Sequence, residues 1–377
     1  MSGRALVIAW KELIQLRRDR LTLAMVAALP VMQLLLFGYA INTDVRHIPL
    51  VVFDQDRSAD SRDLARSLVA TGFYDLAGAV TDYAEIEHAL RSSRARAALV
   101  IPSRYASDLR LGRPTKVQLI VDGSDPQTVA SATDAASGLV AARDAELTVA
   151  RLRGAARGPA GGRPLLSLEP ETWYNPELRT AVFVVPGLVG VILTMTMIMF
   201  TAMAIARERE RGTLEQLIVS PIGRVELMVG KILPYVAIGY LQMTIVLLIG
   251  ATVFRTPVAG SAALLYVLAL LFIAANLALG LVFSTVARTQ QQAMQMSFFF
   301  LLPNILLSGF MFPYDAMPRA AQVLAQALPL THFLRIVRGI ALRGAGFGDL
   351  GGELLWLGGI LVALVAIAAL RFQKKVA

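Results

Sequence analysis

Ala181-Val-Phe-Val-Val-Pro-Gly-Leu-Val-Gly-Val-Ile-Leu-Thr-Met-Thr-Met-Ile-Met-Phe-Thr-Ala-Met-Ala-Ile-Ala206 runs straight into Arg207-Glu-Arg-Glu-Arg-Gly-Thr-Leu-Glu-Gln-Leu-Ile-Val-Ser-Pro221. The first part holds no charge and exceeds the roughly 20 apolar residues that a membrane-spanning helix needs. The second is dense alternating charge, and Ile232–Phe254 opens another uncharged apolar run soon after it. Charge wedged between two such runs belongs at a membrane surface, so these residues set the fold class: an α-helical membrane protein.

Working outward, six stretches are long and apolar enough to span: Leu21–Ile41, Ala181–Ala206, Ile232–Phe254, Ala262–Ala287, Ala293–Phe312 and Leu354–Leu370. Composition agrees, with 56% apolar and 17% charged residues against about half and a quarter in soluble domains. The net charge of +9 invites a nucleic-acid reading, but its placement opposes one. Arg4, Lys11, Arg17, Arg18 and Arg20 precede the first span, and Arg371, Lys374 and Lys375 follow the last. Arg207, Arg209, Arg211, Arg224 and Lys231 fill the connection between the second and third spans. Positive residues collect on the cytoplasmic side, which puts both termini and residues 207–231 there, and an even number of spans closes that topology. Arg319, Arg335, Arg338 and Arg343 break the rule on the exoplasmic side, so that loop is expected to hold embedded helices. Arg17-Arg18 resembles a twin-arginine signal only faintly. The run behind it is too long for a signal sequence and lacks a cleavage site, which indicates an uncleaved anchor. There is no cysteine, which removes disulfides, thiolate metal sites and a thiol nucleophile.

Residues 1–20 carry Ile8, Trp10, Leu13 and Leu16 among basic residues. This suits either an amphipathic helix on the cytoplasmic leaflet or the start of the first span. Residues 42–180 are more polar and long enough for a domain of their own. Ile48–Phe53, Ala97–Ile101 and Lys116–Val121 are short runs rich in β-branched residues, separated by helical patterns at Ser61–Thr71, Tyr83–Ser92 and Ser103–Leu111. Strands alternating with helices predict an inserted exoplasmic α/β domain with a largely parallel sheet. A long helix is expected over Pro126–Arg153, then a Gly- and Pro-rich loop to Pro164. Asp54, Asp56, Asp122 and Asp125 end two of the strands. They read as ligand groups at carboxyl strand ends, or as ordinary turn and cap residues. After the fifth span, Pro313, Pro318 and Pro329 divide an amphipathic stretch, about 313–345, into broken helices.

None of the six spans, so delimited, contains Asp, Glu, Lys, Arg or His. Ion-driven carriers and voltage sensors need ionisable groups within the membrane, so a transporter of this kind draws its energy from elsewhere. The chain has no phosphate loop: Ile232 follows Gly230-Lys231 where Ser or Thr is required, and Val225 stands where the first Gly would. Gly344-Ala-Gly-Phe-Gly348 reads as a hinge or linker. His47, His88 and His332 have no metal-ligand spacing, and no catalytic grouping emerges. Neutral polar residues do lie in the spans. Thr194, Gln242, Asn276, Gln295, Asn304 and Ser308 are candidates to line a substrate pathway, or to hydrogen-bond between helices.

Within the charged run, Arg207–Glu210 and Glu208–Arg211 are i,i+3 pairs that extend the second span, and Gly212 ends it. Thr213 then suits an N-cap with Gln216 three residues on. Leu214, Leu217 and Ile218 make an apolar stripe, and Pro221 closes a short helix lying along the membrane. A capped apolar helix at a cytoplasmic surface implies a protein groove to fill, while a plain connection could be shorter.

Glu208-x-Glu210-x-Gly212-Thr213-x-Glu215-x-Leu217, followed by Ser220-Pro221, resembles the signature of ABC-2 type transporter permeases. The order of parts is similar too: amphipathic N-terminus, one span, a large exoplasmic domain, then five spans. So is the Asn304-x-x-x-Ser308-Gly309-x-x-x-Pro313 stretch with the broken helices behind it. The resemblance implies a non-catalytic permease subunit of an exporter in the inner membrane, paired with a second permease chain, identical or sister. It implies a separate nucleotide-binding subunit holding ATP and Mg, this chain binding no cofactor. Glu208, Glu210, Gly212, Thr213, Leu214, Glu215, Leu217, Ser220 and Pro221 would form the coupling segment seated in that ATPase. Drugs, lipids and peptides are the cargoes it implies. Membrane lipids and, in a Gram-negative cell, a periplasmic partner complete the expected contacts. The competing reading is a membrane receptor or anchor whose exoplasmic domain binds a ligand, for which one or two spans would suffice.

Overall fold

The computed structural model describes residues 45–154, 164–210, 212, 224–256 and 258–371. The expected helix over residues 1–20, the first span at Leu21–Ile41, most of the Gly- and Pro-rich loop and the short helix at Thr213–Pro221 lie outside the described residues.

Residues 48–173 form a mixed sheet with helices packed on it. In chain order the elements are β1 (Ile48–Asp54), α1 (Ala59–Ala70), β2 (Tyr74–Ala79), α2 (Tyr83–Arg91), β3 (Ala97–Ile101), α3 (Tyr105–Arg110), β4 (Thr115–Asp122), α4 (Pro126–Gly154) and β5 (Leu166–Trp173). Local chemistry explains the helix starts. Ser58 Oγ accepts from Ser61 N at 3.0 Å. Asp82 accepts from Glu85 N at 2.7 Å while Glu85 reaches back to Thr81 N at 2.7 Å, a reciprocal capping arrangement. The strand order is β2-β1-β3-β4-β5. β1 runs parallel to β2 and β3, β4 parallel to β5, and β3 antiparallel to β4. The sheet is therefore less parallel than the alternation of elements predicted. The short α3 connection returns the chain beside β3 in the opposite sense, where a longer crossover would have kept it parallel. β3 is buried throughout, with apolar clusters on both faces of the sheet. The two unforeseen strands, β2 and β5, are the edges, and their sequences carry Gly78 and Pro170 in place of a β-branched run.

The rest of the described chain is helical: α5 (Thr180–Glu210), α6 (Arg224–Thr252), α7 (Ala262–Val286), α8 (Gln290–Leu307), α9 (Arg319–Gln326), α10 (Pro329–Arg343) and α11 (Gly351–Arg371). Among the described residues four helical segments are long and apolar enough to cross a membrane: Thr180–Glu210, Pro234–Thr252, Ala262–Val286 and Gly348–Arg371. The fifth predicted span, Ala293–Phe312, forms a shorter helix that stops at Leu307, with Gly309 at φ +86° just beyond. α11 starts at Gly351 and so takes in Glu353, one residue outside the sixth span as delimited from sequence.

α5 is the hub, packing against α6, α7, α8 and α10. Its approach to α7 depends on Gly280: a Cβ there would stand 2.8 Å from both the Ile198 carbonyl oxygen and Thr201 Cβ. Small residues at such crossings let helices approach where lipid supplies no hydrophobic drive. Phe272 of α7 stacks on Phe333 of α10 with centroids 4.0 Å apart, in a core shared with Val189, Leu193 and Met197 of α5. Residues 313–345 form a 3-10 turn at Tyr314–Ala316, then α9 and α10.

Candidate coupling and translocation site

The charged end of α5 is built into a joint. Gly212, at φ +69°, donates its N–H to the Arg209 carbonyl, so the helix ends where the chain takes a left-handed residue. Arg207 Nε donates to Gln290 Oε1 at 3.0 Å, and Arg209 donates to the Ala287 carbonyl at 2.7 Å. Glu210 accepts from Gln290 twice, from its backbone N at 3.0 Å and from Nε2 at 2.6 Å. Thr289 caps α8 by accepting from Gln292 N at 3.1 Å. Arg207, Arg209 and Glu210 therefore do more than extend their own helix. They bolt it to the turn between α7 and α8: a cation meets a free carbonyl at a helix C-terminus, and a carboxylate meets an N–H at a helix N-terminus, each as the helix dipole favours. Glu208 is half-buried beside them. Thr213, Leu214, Glu215, Leu217, Ser220 and Pro221 lie outside the described residues.

The six pathway candidates do not gather into one hydrogen-bonded group. Gln242 pairs with Thr196 at 2.8 Å. Asn276 Nδ2 donates to the Phe272 carbonyl and Ser308 Oγ to the Ile305 carbonyl, each within its own helix. Gln295 is half-buried on α8. Thr194, Asn276 and Asn304 are fully buried. Among the described residues, the Thr194 hydroxyl, the Asn276 carbonyl oxygen and both Asn304 side-chain polar atoms have no hydrogen-bond partner. Buried amides without partners are uncommon and ask for water or another occupant. Thr201 and Thr331 share this state, and sequence reading singled out neither as a pathway residue.

A second polar centre joins α10 to the sheet. Asp122, at the end of β4 and fully buried, takes Arg343 at 3.4 Å and Arg96 at 3.5 Å. Arg343 also donates to Ser93 Oγ at 2.6 Å. Burial works against the Arg96 charge, but Asp315, Asp122 and Asp125 outweigh it and hold that guanidinium's pKa above its ordinary value. Arg338 donates to the Gly309 carbonyl at 2.9 Å and lies over the Phe183 ring at 3.9 Å. Glu353 receives Arg335 at 3.0 Å and meets His332 at 2.6 Å. The arginines that break the charge rule are thus spent inside the protein, apart from exposed Arg319. Asp54 and Asp125 behave as turn and cap residues, accepting from Asp56 N, Arg57 N, Gln127 N and Thr128 Oγ1. Asp56 holds Ala106 N at 3.2 Å.

The family model of the ABC-2 family transporter protein matches residues 20–370. The chain belongs to the ABC-2 transporter family. It is 31% identical over 377 residues to the Escherichia coli protein named "Probable multidrug ABC transporter permease YbhR", covering 100% of both chains. To "Probable multidrug ABC transporter permease YbhS" of the same organism it is 29% identical over 343 residues, covering 90% of this chain and 88% of that one. To "Inner membrane transport permease YhhJ" it is 30% identical over 332 residues, covering 87% and 86%. An ABC-2 permease is a membrane transport protein. Its charged joint was half visible in sequence: Arg207–Glu210 stood out, while the receiving Gln290 was signalled only by three successive glutamines opening α8. Glu353 was missed because the apolar count begins one residue later.

Proposed function

We propose that this permease is the membrane subunit of an ATP-driven exporter that moves a hydrophobic or amphipathic substrate, such as a drug, lipid or peptide, outward across the inner membrane. Six spans, cytoplasmic termini and an exoplasmic domain over residues 42–180 give its topology. A second permease chain and separate nucleotide-binding subunits carrying ATP and Mg complete the machine. The observation that carries the reading is the bolt between α5 and the α7–α8 turn. A push on the segment after Gly212 reaches α5, α7 and α8 together through Arg207, Arg209 and Glu210. An input for force at one helix end makes sense in a chain whose described membrane-length helices keep their charged residues at or near their ends. The names of YbhR and YbhS include "multidrug", which favours drugs among the cargoes. Buried Thr194, Asn276 and Asn304, with polar atoms unanswered among the described residues, are the pathway residues we put first. A receptor or anchor would have no use for a joint that ties three helices at the membrane surface.

The test is co-purification. Leu214→Glu with Leu217→Glu should abolish association with the ATPase subunit while leaving the permease's melting midpoint unchanged. Full retention of the ATPase would overturn the coupling assignment.

A further inference from the structure

The sheet domain has a cleft that the transport reading does not use. β2 is the outer strand of the sheet, and α1 packs over β1, sending Leu64 and Leu68 into the core. Leu76 of β2 is paired with Leu50 and Ala79 with Val52, so Leu76 and Ala79 face the same side as α1, yet Leu76 is 60% exposed. Ala65 and Val69 form the opposing wall. The resulting cavity has a volume of about 570 Å³, inside the range of roughly 300–1,000 Å³ for small-molecule sites.

The mouth of this cleft is cationic. Arg57, Arg62 and Arg66 line it, together with Asp54. Asp54 is already committed to the backbone N–H groups of Asp56 and Arg57 and to Ser61 Oγ. Asp63 is shared between Arg66 and Arg143, and Asp60 is taken by Arg110. The cleft lining itself therefore carries three arginines against one aspartate. Arg57 adopts φ +53°, a left-handed conformation that a bulky residue rarely takes. The guanidinium of Arg62 holds it there, donating to the Arg57 carbonyl at 2.9 Å. Such backbone outliers gather at ligand sites.

We propose that this cleft binds an amphipathic anion: an apolar tail laid along Leu76, Ala79 and Val69, and a single acidic head group met by Arg57, Arg62 and Arg66. A fully apolar ligand would make no use of the three arginines along the lining, and a small inorganic anion would leave the apolar wall in water. The cavity suits a detached molecule of about twenty water-sized groups at roughly 30 Å³ each. The inference goes beyond the export reading, and no step of it depends on transport.

The experiment uses the full chain in nanodiscs and a hexadecanoic acid bearing a diazirine, with its methyl ester as the uncharged control. Photolabelled peptides are mapped by mass spectrometry. The acid should label residues 57–81, with the ester labelling there about tenfold less, the loss expected for one charge-assisted contact. Arg62→Glu with Arg66→Glu should remove that preference, and exposed Ala79→Trp should block labelling by both probes. Circular dichroism and melting of each variant confirm the fold. Equal labelling by acid and ester, no labelling of residues 57–81, or labelling that survives Ala79→Trp overturns the proposal.

Discussion

Asp122 has 0% side-chain exposure and faces Arg343, itself 4% exposed, at 3.4 Å. Taking away one partner of a buried ion pair costs about 3–5 kcal/mol, because the remaining charge stays buried without its counter-ion. Here two guanidinium groups would be left, those of Arg343 and Arg96. Asp122→Ala should therefore lower the melting midpoint of the purified permease sharply. Asp122→Asn should lower it less, since it keeps the volume and the acceptor for Ser124 N. Asp122→Leu combined with Arg343→Met should sit between Asp122→Ala and wild type, since apolar replacement relieves the Arg343 charge while Arg96 is left with Asp315, 4.0 Å away. Strict additivity of the single variants would show that the two side chains do not interact.

At the scale of elements, the α5–α7 crossing makes a sharper demand than its apolarity suggests. Gly280→Ala would put a methyl group 2.8 Å from a backbone oxygen on α5, and overpacking of this kind costs about 1–3 kcal/mol. Gly138→Ala on α4 is the matched control, because a Cβ there meets nothing within 4 Å. The first should lower thermal stability and the second leave it level or raised. The same contrast explains what the sequence disclosed. Apolar length located the four long helical segments, and helical patterning located α1 and α2, because both signals are local. β2 and β5 stayed hidden because edge strands carry little apolar signal of their own. The reversal between β3 and β4 is a matter of connection length, which residue types do not encode. At the joint, the donors on α5 were legible as charge, while their acceptors, Gln290 and the Ala287 carbonyl, lie 78 to 83 positions away in sequence.

For the whole molecule, association with the ATPase and transmission of its motion should be separable. Under the proposed reading, association is assigned to Leu214 and Leu217 and transmission to the bolt at Gln290. The Arg207, Glu210 and Gln290 bonds are exposed, so together they contribute on the order of 1 kcal/mol. That is too little to unfold the chain, yet enough to change coupling several-fold. Gln290→Ala should leave ATPase co-purification intact while reducing drug-stimulated ATP hydrolysis and transport in proteoliposomes. Gln290→Glu should do so more strongly, because it sets a second carboxylate against Glu210. The exchange Glu210→Gln with Gln290→Glu restores the donor–acceptor sense, since the amide placed on α5 can donate to the carboxylate placed on α8 and Arg207 can still reach that carboxylate. Recovery of stimulated hydrolysis in that double variant would be hard to obtain from a generic stability effect. Failure of the exchange, with both single variants impaired and all three chains folded and ATPase-bound, would place the transmission of force elsewhere than between α5 and α8.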